Sequence, residues 1–240
     1  MIEFAAITHR GLRRPHNEDA VGIVGQLLTG EMTDPVAGKI QEQCALFAVA
    51  DGVGGLHHGG RASRELIVGL IAQDVPEPDL AACSEAVCRA ALAVHAVTIH
   101  APETVGMATT LAGIVLRANS ACWFNVGDSR VYLLREGHLR QLSVDDATDG
   151  NSGGRQTSRI TRSIGGRRAL APVIPHAGEV KLVAGDRLLL CSDGLWGPLS
   201  DSRTEAILRQ HDIAEAAVRA LLVEAFGAGG PDNISIVLLQ

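Results

Sequence analysis

Three aspartates stand in one kind of setting, and the setting suits metal chemistry. Phe47-Ala48-Val49-Ala50 runs into Asp51-Gly52, and Leu188 to Ser192 runs into Asp193-Gly194. Gly229-Gly230-Pro231 delivers Asp232-Asn233 just ahead of the apolar run Ile234 to Leu238. Each places a carboxylate at the end of an apolar strand, where glycine or a turn lets the backbone approach closely. A lone Asp-Gly is a turn. If the three converge, mutual repulsion raises their pKa values unless cations neutralise them. Hard divalent ions do that, and Mg2+ or Mn2+ suits a site of carboxylates, carbonyls and water. Spacing alone does not decide whether they converge.

Two further acidic clusters bear on the same chemistry. Arg14-Pro15-His16-Asn17-Glu18-Asp19 sets an arginine ahead of a paired carboxylate at a strand start. Asn125-Val126-Gly127-Asp128-Ser129-Arg130 sets another aspartate at a strand junction. Taken alone, each reads as a surface turn or an ion pair. Gly52 to Gly60 (GVGGLHHGG) is rich in glycine but holds no lysine and lacks the Gly-Lys-Ser/Thr ending of a nucleotide loop, so phosphate cradling of that kind is rejected.

The elements that must position these residues are short strands and paired helices. Phe4 to Thr8, Ala20 to Val24 and Ala45 to Ala50 read as strands, with a polar connection from Leu27 to Gln43. Leu66, Ile67, Leu70 and Ile71 recur at helical spacing within Arg61 to Asp74; Pro76 and Pro78 end that block, and Leu80 to His100 reads as a second helix. A meander is expected over Thr109 to Leu116, Ala121 to Val126, Arg130 to Arg135 and His138 to Leu142, with a tight turn at Glu136-Gly137. Asp145 to Arg159 is polar and without periodicity, and reads as a mobile loop. Strands at Val180 to Val183 and Arg187 to Ser192, helices at Ser202 to Gln210 and Ile213 to Phe226, and a strand at Asn233 to Leu239 complete the chain. Strands in hairpin succession with helices arriving in pairs imply an α+β fold of antiparallel sheets under helices.

The 240 residues, 46% hydrophobic and 20% charged, suffice for one large core, and no linker divides them. A net charge of -6 argues against nucleic acid as partner. The five cysteines form no C-x-x-C pair, which argues against a disulfide framework and a zinc ribbon. Met1-Ile2-Glu3-Phe4 lacks the pattern of a signal peptide, and no segment reads as a bilayer span. The expectation is a soluble, cytoplasmic protein.

Set in order, the motifs resemble the metal-dependent protein phosphatases (the PPM family, protein phosphatase 2C type) in their bacterial Ser/Thr form. The matching residues are Thr8 to Gly11 with Arg14 to Asp19, Phe47 to Gly55 (FAVADGVGG) and Met107 to Leu111 (MATTL). Asn125 to Arg130 (NVGDSR), Ile160 to Gly165 (ITRSIG), Leu189 to Gly194 (LLCSDG) and Gly230 to Asn233 (GPDN) follow. The resemblance implies a single domain over 1–240: a four-layer αββα sandwich of two mostly antiparallel sheets flanked by helix pairs. It implies two Mn2+ or Mg2+ ions, with a possible third. Asp51 would bridge the pair, the Gly52 carbonyl would bind one ion, and Asp193 and Asp232 would complete that ion's shell. Glu18 or Asp19 would hold the second ion mainly through water, and Asp128 with Asp193 matches a third position. Arg14 matches the residue that grips substrate phosphate. The implied reaction is hydrolysis of phosphoserine and phosphothreonine by a hydroxide held between two ions, without a phosphoenzyme. The implied partners are phosphorylated proteins and a cognate Ser/Thr kinase, met by a monomer.

Two departures qualify the resemblance. Val53 stands where many eukaryotic relatives carry a histidine proposed as general acid; His57 and His58 lie nearby, as would metal-bound water, and none is assigned. The flap segment between the meander and Ile160-Thr161-Arg162 is short, about 145–161. Two other readings stay open here: an inactive relative that binds a partner through the same fold, and a hydrolase of small phosphoesters, which a deep pocket would favour.

Overall fold

The central strands are apolar at nearly every position because both of their faces are covered. In the computed structural model of the chain, residues 2–40, 44–53, 58–73, 79–152, 155–166 and 172–240 are described, those between 149 and 159 by backbone alone. His57, Pro76 and Pro78 lie outside the described residues. The first half forms β1 (Ile2–His9), β2 (Ala20–Ile23), β3 (Gln26–Leu28), β4 (Val36–Ile40), β5 (Cys44–Ala50) and β6 (Gly52–Val53). Helices α1 (Gly59–Ile71) and α2 (Leu80–His100) follow, then β7 (Ala108–Thr109), β8 (Leu111–Arg117), β9 (Ser120–Val126), β10 (Arg130–Arg135) and β11 (His138–Gln141). The remainder is β12 (Ala147–Ser152), β13 (Arg155–Ile160), β14 (Ile164–Gly165), β15 (His176–Lys181), β16 (Arg187–Cys191), α3 (Asp193–Trp196), α4 (Asp201–Gln210), α5 (Ala214–Gly227) and β17 (Ile234–Leu239).

Two antiparallel six-stranded sheets result, in the orders β11-β10-β16-β17-β1-β4 and β15-β9-β8-β5-β2-β3. The period-two alternation of side chains separates three cores. Phe47 and Val49 of β5 meet Leu188, Leu190 and Val237 between the sheets. Leu46, Ala48 and Ala50 turn the other way, onto Leu66, Ile67, Val87 and Val94 of α1 and α2. Leu189 and Cys191 of β16 turn onto Ile207, Val218 and Leu221 of α4 and α5. That is the four-layer α+β sandwich expected from the sequence. Each large aliphatic side chain so enclosed contributes roughly 1.5–3 kcal/mol relative to exposure.

Several local expectations need correction. The run Leu27 to Gln43 is not a bare connection: it carries β3's end and β4, an edge strand paired with β1. Gly38 of β4 lies under the Phe4 ring, where an added Cβ would stand 2.9 Å from the ring carbons. The meander is broken, since β9 pairs with β8 and β15 whereas β10 pairs with β11 and β16 in the other sheet. Residues 127–129 are therefore the crossover between sheets. The stretch read as a loop folds as the hairpin β12–β13, from Ala147↔Ile160 to Ser152↔Arg155. Glu136-Gly137 does form the expected turn, both residues at positive φ (53° and 79°). Finally, α2 is long and apolar enough to cross a membrane by length and composition, contrary to the sequence reading. Its Cys83, Val87, Ala90 and Val94 are buried in the core beneath it, and α1 lies against it.

Candidate metal centre

Strand register brings the predicted carboxylates to one end of the sandwich. Ala20 pairs with Ala50, which sets Asp19 beside Asp51. Cys191 pairs with Ile236, and His9 with Ile234, so the end of β16, the start of β17 and the segment after β1 share that end. A cavity of about 380 Å³ opens there, and its walls include Arg14, Glu18, Asp51, Gly52, Asp193 and Asp232. Asp19 and Asp128 are buried, 2% and 3% exposed, and do not line it. His16, which the sequence reading did not single out, does.

Two glycines explain how the carboxylates get so close. A Cβ on Gly52 would collide with the Gly59 carbonyl at the start of α1 and lie 2.6 Å from the Glu18 carbonyl oxygen. A Cβ on Gly194 would collide with the Asn233 carbonyl. The Asp-Gly pairs are therefore close-approach points as well as turns.

The electrostatics are those of carboxylates with too little positive charge. Burial, with repulsion from Asp19, Asp193, Asp232 and Asp128, holds the Asp51 carboxyl well above its ordinary range. Burial raises Asp193 to about 7, with Asp232, Asp128 and Asp19 adding to the shift. Asp19 also rises to about 7, chiefly through burial, although the Ser192 and Ser235 hydroxyls each donate to its Oδ2 at 2.8 Å. Burial raises Asp128 to about 6. Asp51 lies close enough to Asp19 and to Asp193 to share a hydrogen bond when a proton is present. Among the described residues, Asp19 Oδ1, Asp128 Oδ1 and Asp193 Oδ1 are buried without a hydrogen-bond donor. Orphaned anionic oxygens are costly in a protein interior, and a hard cation is what satisfies them. No three His, Cys, Asp or Glu side chains among the described residues already close on one point as a finished ligand cage. The donor set is that of a hard divalent ion; its final closure is not preformed.

The residues that hold these carboxylates were not evident from sequence. Asn233 is one hub: its Oδ1 accepts from the Glu18 amide at 2.9 Å, and its Nδ2 donates to the Arg10 and His16 carbonyls at 2.9 and 2.8 Å. Thr110 is another, its hydroxyl accepting from the Asp51 amide at 3.1 Å while its own amide donates to the Asp51 carbonyl at 2.9 Å. The Thr109 hydroxyl donates to that same carbonyl at 2.9 Å. Trp196 Nε1 donates to the Asp128 carbonyl at 3.0 Å. The motifs GPDN and MATTL contain Asn233, Thr109 and Thr110 without revealing what they do, and Trp196 lies outside every motif.

A family model described as protein phosphatase 2C matches residues 32–224. The chain belongs to the protein phosphatase 2C family. It is 34% identical over 99% of its length to the serine/threonine protein phosphatase PstP of Mycobacterium tuberculosis, and spans 45% of that relative's length. Over 97% of its length it is 27% identical to the serine/threonine phosphatase stp of Listeria monocytogenes, of which it spans 93%. The solved catalytic domain of PstP in complex with two manganese ions superposes with a TM-score of 0.79, at 34% identity, covering 100% of this chain and 99% of that one.

Against that family background, Arg14 is already engaged: its Nη2 donates to Asp232 Oδ2 at 2.6 Å, and the Asp232 carboxylate holds the guanidinium above its ordinary pKa. The Asp232 Oδ1 accepts from the Asn233 amide at 2.8 Å. Arg14 and Asp232 thus meet at the mouth of the cavity, with Arg14 half exposed. Val53, at the position of the family's candidate acid, pairs with Ala108 in a short strand and brings no proton donor. His58 caps α1 without a side-chain cap bond and does not line the cavity.

Proposed function

We propose that this chain is a metal-dependent phosphatase that removes phosphate from phosphoserine and phosphothreonine in proteins. The observation that carries this is the meeting of Asp51, Asp193, Asp232 and Arg14 on one cavity, backed by buried carboxylate oxygens that lack a donor. Asp51, the Gly52 carbonyl, Asp193 and Asp232 would hold the first of two Mn2+ or Mg2+ ions, with Asp51 shared. Glu18 or Asp19 would serve the second. Asp128, with Asp193, is the position for a third. When bound, such ions supply Lewis acidity and a water acidified towards neutral pH.

The chain's own residues do the rest. Arg14 presents a planar fork matched to phosphate oxygens, and an incoming phosphate competes with Asp232 for it. Asn233, Thr109 and Thr110 fix the backbone of Glu18 and Asp51, so the carboxylates keep their positions as charge changes. Arg14, Pro15 and His16 are exposed, so one wall of the cavity is open surface. An open wall admits a phosphorylated segment of protein, where a small ester would be better enclosed by a deep pocket. We assign no general acid. The natural counterpart is a Ser/Thr kinase acting on the same proteins, met by a monomer. Cys83, Cys88, Cys122 and Cys191 form no disulfide among the described residues, which supports a reducing, cytoplasmic setting.

Phosphate release from a phosphothreonine peptide, with Mn2+ and with chelator, tests the reading. Release that requires the metal is expected. Pure, folded protein that releases none at saturating Mn2+ would remove it.

A further inference from the structure

The loop that carries Arg14 is braced from outside the cavity. Arg10 Nη1 donates to the Arg14 carbonyl at 3.2 Å, and Arg10 Nε donates to Glu31 Oε2 at 2.7 Å. Glu31 lies between β3 and β4, and its Oε1 stands 3.3 Å from His9 Nε2. His9 Nδ1 accepts from the Gly11 amide at 3.0 Å, which in the neutral ring leaves the proton on Nε2, facing that carboxylate. An edge-on contact with Phe226 of α5, 4.9 Å between ring centroids, holds the imidazole in place. Segment 30–32 is itself seated: Asn17 Nδ2 donates to the Gly30 carbonyl at 2.6 Å, and the Met32 amide donates to the Thr8 carbonyl at 3.1 Å.

The other side of the same loop is fastened to the segment that delivers Asp232. Asn233 Nδ2 donates to the Arg10 carbonyl, and the Leu12 amide donates to the Gly230 carbonyl, each at 2.9 Å. Gly11 makes this approach possible: it sits at a φ of 76°, and a Cβ there would collide with the Asp232 carbonyl. Arg14 follows two residues after Leu12, and the Arg10 guanidinium ties its main chain back. Arg14 lines the metal-site cavity, whereas neither Arg10 nor Glu31 does. The Arg10 and Glu31 side chains are 40% and 49% exposed, so their ion pair adds little to the stability of the fold. Its effect is local, since one planar guanidinium joins a carboxylate on one edge to a carbonyl on another.

We propose that Arg10 is a positioning residue for Arg14: held by Glu31, it pins the Arg14 main chain so that the Arg14 guanidinium exchanges Asp232 for a phosphate group while its loop stays in place. The proposal rests on the phosphatase reading, because phosphate is the group exchanged. Arg14 has to change partners, since its Nη2 is on Asp232 Oδ2 at 2.6 Å before any phosphate arrives. A side chain that swings from an anchored main chain returns to one place. From a loose one it does not, and a misplacement of about 1 Å is costly at a reacting site. Arg10→Ala removes the strut, and Glu31→Gln weakens the carboxylate that orients it.

The test pairs kinetics with direct binding. Arg10→Ala is expected to raise KM for a phosphothreonine peptide about fivefold with kcat within about twofold, and Glu31→Gln to do the same at smaller size. Inorganic phosphate titrated by calorimetry into Mg2+-loaded protein reads the same contact without turnover. Its Kd should rise by about the same factor in Arg10→Ala, while Mg2+ affinity stays unchanged. A double variant decides the route: in the Arg14→Ala background, adding Arg10→Ala should alter phosphate affinity by less than about 1.5-fold, because the strut has nothing left to place. The full loss in that background, a fall in kcat at constant KM, or unchanged phosphate affinity in Arg10→Ala would overturn the proposal. Glu31→Gln keeps the test intact if Arg10→Ala fails to fold. If the unaltered protein releases no phosphate from the peptide, the phosphatase reading fails, and phosphate binding by the loaded protein still decides whether Arg10 acts through Arg14; phosphate that does not bind at all overturns the proposal too.

Discussion

The two ends of the sandwich treat a buried aspartate in opposite ways. At the end away from the cavity, Asp186 precedes β16 with its side chain 3% exposed, and both of its oxygens accept from Arg135, at 2.8 and 2.6 Å. The guanidinium holds its carboxyl below the ordinary range, and the Val183 amide adds a further donor. At the cavity end Asp19 is as little exposed while Asp51 and Asp193 line the cavity; two serine hydroxyls donate to Asp19, and all three pKa values rise. One end closes its charge within the chain; the other leaves a deficit of positive charge where a cation must come from outside. The difference separates a structural carboxylate from a ligand, and burial alone does not distinguish them.

The largest expected effect falls on Asp51. Asp51→Asn should lower Mn2+-dependent turnover at least about a thousandfold, the scale of losing electrostatic stabilisation at a reacting centre. The same change should raise the melting temperature of the metal-free protein by about 2–4 °C, since it removes repulsion from Asp19 and Asp193. Opposite signs in activity and stability mark a ligand; a fall in both, measured by phosphate release and calorimetry, would assign Asp51 to the structural kind.

Arg14→Ala should act on substrate. KM for a phosphothreonine peptide is expected to rise about ten- to a hundredfold with a smaller change in kcat, because the lost contact is one to phosphate. Steady-state kinetics reads the split directly, and a loss confined to kcat would contradict it.

A pH series compares the ends without mutation. Asp19 and Asp193 titrate at about 7 in the folded chain and Asp128 at about 6, against an ordinary 3.8. Their folded pKa values are raised, so their contribution is fully present below about pH 3.8 and is lost as pH rises through about 6–7. Metal-free protein should therefore melt on the order of 5 °C lower at about pH 8 than at about pH 5. Added Mn2+ should restore stability, more at the higher pH. Asp186 has the reverse sign: its contribution is present above about pH 3.8 and fades as pH falls through its lowered value. The smallest effect belongs there. Asp186→Asn should cost about 1–2 kcal/mol, less than a fully buried pair because the Arg135 side chain is 37% exposed, and should leave Mn2+ activation unchanged.

What the sequence revealed and what it hid follow from the range of each interaction. Asp51, Asp193 and Asp232 were readable because each adjoins a strand whose apolar run is local. Their convergence depends on pairings such as Ala20↔Ala50 and Cys191↔Ile236, which no local pattern encodes. The roles of Asn233, Thr110 and Ser192 stayed hidden because the partners that matter, Glu18, Asp51 and Asp19, lie 215, 59 and 173 residues away in sequence. The split of β9 from β10 was hidden for a related reason: two adjacent apolar strands look alike whether they pair with each other or with distant neighbours. β4 carries little hydrophobic signal because it is an edge strand with a glycine beneath Phe4. The β12–β13 hairpin lacks the apolar alternation that marks a strand, so its polar sequence reads as a loop.

The central claim is that distant carboxylates assemble a seat for divalent ions at one end of the sandwich. Diffraction at the manganese edge from crystals soaked in Mn2+ tests it most directly. Anomalous peaks bonded to Asp51, Asp193 and Asp232 are the predicted result. An empty cavity at saturating Mn2+, or peaks only at other carboxylates, would contradict it.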